Sequence, residues 1–266
     1  MGASGARSVL IPALALLLVA AVVTDVVRRA VYGARSVAPA GTDRPSTGGT
    51  VAGRAGADER AAAGLPGMPT DRLDSAARAD ALQRINREGA ATYLPAMLAE
   101  NDSVLHRWAD DRVRRPLRVA ILRDGGVRGF REIFKANVAW AMGRWNGVGL
   151  PVWLEQSTDS AGADIVITWV DRLDSNRTGR SDLTWQRRGP IVQVRVTLAT
   201  HLPDGRPVQP TQMVALALHE LGHAIGLGHS PAKSDALYPE TSATELTSRD
   251  RGTATLLYSI PPGSLK

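Results

Sequence analysis

His219, Glu220, His223, Gly226 and His229 are the residues of this chain whose types and spacing can do chemistry. Positions i and i+4 of a helix share a face, so His219 and His223 can aim two imidazoles at one ion. Such nitrogen ligands sit about 2.0–2.1 Å from zinc. In a continued helix His229 would lie about 15 Å along the axis from His219 and off the ligand face. It reaches the same ion only if the helix stops and the chain turns back. Gly226 is the residue type that permits this, because glycine enters positive φ without steric cost. Three protein ligands leave a fourth position for water, the arrangement of a catalytic zinc rather than a structural one. Glu220 then acts as general base. It takes the proton of zinc-bound water as that water attacks a carbonyl, and passes it to the leaving amine.

Other readings of the same residues stay open at this level. A membrane-tethered module could keep the zinc site and lack activity, although the presence of Glu220 argues against it. A zinc hydrolase could instead take its last ligand from a downstream carboxylate, with Glu240 or Glu245 as candidates. A surface helix with two solvated histidines is the plainest alternative.

These side chains need elements to position them. Leu117 to Leu122 reads as a strand closed by Asp124-Gly125-Gly126. From Gly129 to Trp145, the residues Phe130, Ile133, Phe134, Val138, Ala141 and Trp145 fall on one helical face. Pro151 to Gln156 and Ala163 to Val170 are two further strands. Ser181 to Gln186 and Ile191 to Thr200 form a hairpin across Arg187-Arg188-Gly189-Pro190. A helix from about Thr211 to Gly226 carries the ligands. The order predicts an α+β domain with a twisted mixed sheet. Upstream, Thr70 and Asp71 start a helix on which Leu73, Ala77, Ala81 and Ile85 recur, with Gly89 as its stop. The predicted organisation is a signal anchor over 1–29, a linker over 30–70, a helical pro- or docking segment over 71–102 and the catalytic domain over 103–262.

Composition sets the bounds. The chain has 266 residues, 44% of them hydrophobic, and a net charge of +6. Absence of cysteine excludes disulfides, thiolate ligands and a cysteine nucleophile. The basic excess reads as an arginine-rich solvated surface. No concentrated basic stripe with interleaved aromatics suggests a nucleic-acid partner. From Ser8 to Thr24 there are 17 uncharged residues dense in Leu, Val and Ala. Such a run serves as an uncleaved signal anchor or, if cleaved, as an export signal. The expected localisation is therefore a membrane-anchored extracytoplasmic domain, or a secreted one. Residues 30–70 are too rich in Gly, Ala, Ser, Thr and Pro to repay the entropy of ordering.

His219 to His229 resembles the eleven-residue signature of metzincin metallopeptidases, and the stretch to Ser230 resembles most closely their matrixin branch. The resemblance extends over about Leu117 to Tyr258. It implies a sheet-and-helix subdomain over a small C-terminal one, with the cleft between them. It implies one catalytic zinc held by His219, His223 and His229, with Glu220 as base. The implied substrate is a protein or peptide lying extended along an edge strand, here the stretch around Ser181 to Gln186. A monomer is expected. Calcium sites built from carboxylates and carbonyls are compatible with the pattern.

Departures are specific. Leu237 stands where the family carries a methionine in a turn beneath the zinc, and its similar volume should preserve packing. Tyr238 is expected to be a pocket-wall or core residue. Latency through a propeptide cysteine is impossible here. Outside the signature only His106 and His201 remain, and both are expected to be ordinary hydrogen-bonded histidines.

Overall fold

Strands with an apolar residue at nearly every position mark the buried centre of the sheet, and alternating ones mark its solvated edge. The computed structural model describes residues 72–266 other than 175 and 188. The expected anchor and linker lie outside these residues. Among the described residues no helix is long and apolar enough to cross a membrane.

The elements in chain order are α1 (Ser75–Glu88), α2 (Leu94–Glu100), β1 (Val104–Leu105), β2 (Arg107–Trp108), β3 (Leu117–Ile121) and α3 (Ile133–Asn146). After them come β4 (Leu154–Ser157), β5 (Ile165–Val170), β6 (Gly179–Trp185), β7 (Pro190–Ala199), α4 (Pro210–Ala224), α5 (Ser248–Tyr258) and β8 (Gly263–Ser264). β3 lies between β4 and β5, and β5 pairs with β7, all parallel. β6 then pairs antiparallel with β7, placing Ser181 opposite Val196. It pairs with no other strand among the described residues, so its outer edge is free. β2 adds a short parallel pairing to the start of β7, and β1 pairs with β8.

In β5, Ile165, Ile167 and Trp169 are buried while Val166, Thr168 and Val170 are half-buried, as expected of a central strand. In β6, Gly179, Ser181, Leu183 and Trp185 turn inward and Asp182 is exposed. The mixed sheet and the ligand helix agree with the sequence reading. α3 differs, because it starts at Ile133 rather than Gly129. Residues 127–132 are spent in turns ahead of it, with Phe130 N–H bonded to the Val127 carbonyl at 3.2 Å. Ile133, expected on the buried face, is 45% exposed. Phe130 nevertheless packs on Phe134 and Trp169, with ring centroids 6.1 and 5.1 Å apart. Its burial therefore imitates a helical period without being helical.

α1 also begins later than expected, at Ser75. The Asp74 carboxylate accepts the Ala77 N–H at 2.8 Å and caps the helix. β1, β2 and β8 were not anticipated. At two residues each they are too short to show a period. α3 lies against α4, and Trp145 Nε1 donates to the Leu218 carbonyl at 3.0 Å, one residue before the first candidate ligand. The main core lies between these helices and the inward faces of β3, β5 and β7, through Phe134, Val138, Ile165, Ile167, Val194 and Val196.

Candidate active site

Helix α4 must end abruptly for His229 to join His219 and His223, and its last carbonyls must then find partners. Both conditions are met. Gly226 has φ +104°, its N–H bonds to the His223 carbonyl at 2.9 Å, and Leu227 N–H bonds to the Gly222 carbonyl at 3.0 Å. This is a Schellman closure with glycine at the left-handed position. The carbonyls it leaves over are taken by side chains from elsewhere. Trp108 Nε1 donates to Ala224 O and Tyr258 Oη to Ile225 O, both at 2.9 Å. The turn is thus fixed from β2 on one side and α5 on the other.

The three imidazoles converge, with ring centroids 4.5, 5.5 and 4.9 Å apart. Nδ1 of His219 bonds to the Ala236 carbonyl at 2.8 Å, and Nδ1 of His223 to the Leu227 carbonyl at 2.7 Å. A carbonyl only accepts, so each Nδ1 carries the proton and each Nε2 presents a lone pair. Those two Nε2 atoms face each other at 2.9 Å. The Nε2 of His229 is buried and has no hydrogen-bond partner. Facing lone pairs and an orphaned buried acceptor are unfavourable unless a cation lies between them. The candidate ligand atoms lie within 4.8 Å of one another. Burial holds all three imidazoles in the neutral, ligating form: His219 is pushed well below its usual pKa, His223 to about 4 and His229 to about 3. The residues present therefore fit a zinc ion.

Glu220 is fully buried. Its Oε2 accepts from Ser181 Oγ at 2.7 Å, and its Oε1 has no partner. Burial raises its pKa to about 8, partly opposed by the Ser181 hydrogen bond. A carboxylate oxygen of raised basicity and without a partner, on the same helix as His219 and His223, suits proton transfer.

A polar network beneath the site orients His219. The Ala236 carbonyl that holds His219 belongs to a residue whose N–H donates to Asp250 Oδ2 at 3.0 Å. Asp250 also forms a capping box with Thr247 at the start of α5 and accepts from Tyr93 Oη at 3.2 Å. Burial, then the Asp250 charge, raises the Tyr93 pKa well above its usual value. Ser230, directly after His229, bonds to Asp235, which also accepts from Thr247 Oγ1 at 3.0 Å. From the N-terminal side, Met97 of α2 accepts the Gly228 N–H through its sulfur at 2.9 Å.

Leu237 is fully buried, and a Cβ added at Gly222 would stand 2.7 Å from its Cδ2. It therefore fills the space beneath α4 at Gly222. Leu237→Met is expected to cost less than about 1.5 kcal/mol, and Leu237→Ala about 2–5 kcal/mol. Thermal melting of the two variants measures this.

The remaining sequence candidates lie elsewhere. Glu240 and Glu245 are exposed, Glu245 pairs with Arg144, and neither joins the histidines. His106 packs on Trp185 with ring centroids 4.4 Å apart and bonds to Gly189 O, and His201 pairs with Asp171 at 2.6 Å. Tyr238 is half-buried. Among the described residues the histidine triad is the one cluster suited to a metal, so calcium gains no carboxylate cluster. Sequence reasoning missed Ser181, Asp250 and Tyr258. Ser181 had a signal, a polar residue at the inward parity of Leu183 and Trp185. Asp250 had another, three residues after Thr247.

The family model for matrixin matches residues 130–259, which include all five signature residues. The parallel sheet, antiparallel edge strand and ligand helix are consistent with a matrixin-type fold. No curated protein matches the chain at a significant level.

Proposed function

Since residues 130–259 form a matrixin-like domain, we propose that this chain is a zinc-dependent endopeptidase acting on protein substrates. The observation that carries the reading is the convergence of three imidazoles, with His229 Nε2 unsatisfied, on a site whose helix also carries the buried Glu220 carboxylate with its Oε1 unpartnered. His219, His223 and His229 would hold the ion. When bound, zinc would polarise the scissile carbonyl and acidify a water. Glu220 would accept the proton at Oε1, its free oxygen, and return it to the leaving nitrogen. The free edge of β6 offers main-chain donors and acceptors to an extended peptide, so the substrate would be aligned by strand addition. The uncharged run from Ser8 to Thr24 supports a tethered or exported domain as part of this reading.

The test is to incubate the zinc-loaded full chain with denatured casein and map new amino termini by mass spectrometry. Internal cleavages are expected. A zinc-loaded chain that produces none, on casein or on a peptide library, would instead support a zinc-binding module without peptidase activity.

A further inference from the structure

The hydroxyl of Ser181 lies 2.7 Å from Glu220 Oε2 and 3.0 Å from the Glu220 carbonyl oxygen, and Ser181 is fully buried. A serine hydroxyl has one proton, and the carboxylate is the nearer and stronger acceptor. Two residues earlier on β6, Gly179 faces the other carboxylate oxygen. A Cβ added there would overlap Glu220 Oε1 and stand 2.8 Å from its Cδ and 2.6 Å from Leu216 Cδ1. The carboxylate therefore lies in a slot between α4 and the inward face of β6. Glycine makes the room at one end and serine makes a hydrogen bond at the other. That bond occupies Oε2 and leaves Oε1 unpartnered.

We infer that Ser181 is a positioning residue for the base, engaging Oε2 of Glu220 so that Oε1 is the oxygen left for proton transfer, with Gly179 as the space that admits it. This rests on the peptidase reading above. β6 is also the strand with a free edge, so one strand would register both the bound peptide and the base that acts on it. Sharing that frame keeps the proton acceptor aligned with the scissile bond, and small misplacements of such groups are costly to rate.

Four full-length proteins test this: wild type, Ser181→Ala, and the equally bulky pair Ser181→Thr and Ser181→Val. Kinetics on a casein-derived peptide are read beside zinc affinity, by chelator competition, and the affinity of the zinc-loaded protein for acetohydroxamic acid. The hydroxamate binds the metal and gives its N–OH proton to a neighbouring carboxylate, so it reads the base without turnover. Ala and Val should lower kcat by about 10- to 100-fold, the range of a lost hydrogen bond to a charged group. KM and zinc affinity should stay within about threefold, which separates base positioning from uniform binding. Thr should retain activity and hydroxamate affinity that Val loses. The inference is overturned if Ala keeps kcat within about twofold, if zinc affinity falls as far as kcat, or if Thr falls as far as Val. Should the zinc-loaded wild type cleave nothing, the peptidase reading fails and the hydroxamate comparison alone decides. Tighter binding by wild type and Thr than by Ala and Val sustains the positioning role, and equal binding by all four ends it.

Discussion

The Glu220→Ala protein is expected to keep its zinc and lose peptidase activity, with kcat falling by about 10²–10⁴-fold, the usual share of a positioned general base. Zinc should remain because the three converging nitrogens belong to His219, His223 and His229. Stability should not fall in the metal-free protein. Glu220 is wholly buried, its Oε1 has no partner, and burial raises its pKa to about 8. A buried group with an unmet hydrogen-bond site costs free energy to keep. Removing it should leave the melting temperature of the metal-free protein unchanged or higher, a pattern typical of residues held for activity rather than for the fold. The measurements are kcat on a peptide substrate, zinc by elemental analysis, and melting of the apo proteins. Activity within about tenfold of wild type would remove Glu220 from the chemistry.

Gly226→Ala should have the largest effect on the metal site from a residue that is not itself a ligand. Its φ of +104° is one that a side chain rarely adopts, and an added Cβ would overlap the His106 carbonyl oxygen and stand 3.2 Å from Arg107 Cα. Strain of roughly 1–3 kcal/mol and a similar cost of overpacking, about 1–3 kcal/mol, are both too large to absorb in place. Relief requires the chain to leave the turn, and His229 leaves with it. Zinc affinity should therefore fall by more than the ~10- to 100-fold that follows loss of a group merely orienting a ligand. Metal competition titrations measure this, and melting of the apo protein separates the turn from the fold. A variant that binds zinc as wild type does would show that the turn tolerates a side chain, against the packing of β2 on Gly226.

What could be read in the sequence divides by range. The ligand spacing, the helix that carries it and the need for a break at Gly226 are local, and local periodicity and glycine chemistry report them. The central strands were legible because Leu117 to Ile121 and Ile165 to Val170 are mostly apolar and rich in β-branched residues. Long-range partners were not. Trp108 and Tyr258 complete the end of α4 from 116 and 33 residues away, and no pattern near either residue signals it. The Ala236 carbonyl that orients His219 is backbone, which sequence cannot distinguish from any other. The start of α3 was misplaced because Phe130 packs as a helical residue would while lying in a turn. Leu237 shows the converse. Its position was readable from the family pattern, and its contact with Gly222 explains how a leucine serves there.

The measurement that bears most directly on the zinc peptidase reading is metal content titrated against activity in the full chain. One zinc per chain is expected, with casein cleavage lost as a chelator removes the metal and regained in proportion as zinc is returned. A folded protein that takes up no zinc, or that cleaves casein equally well without it, would contradict the reading.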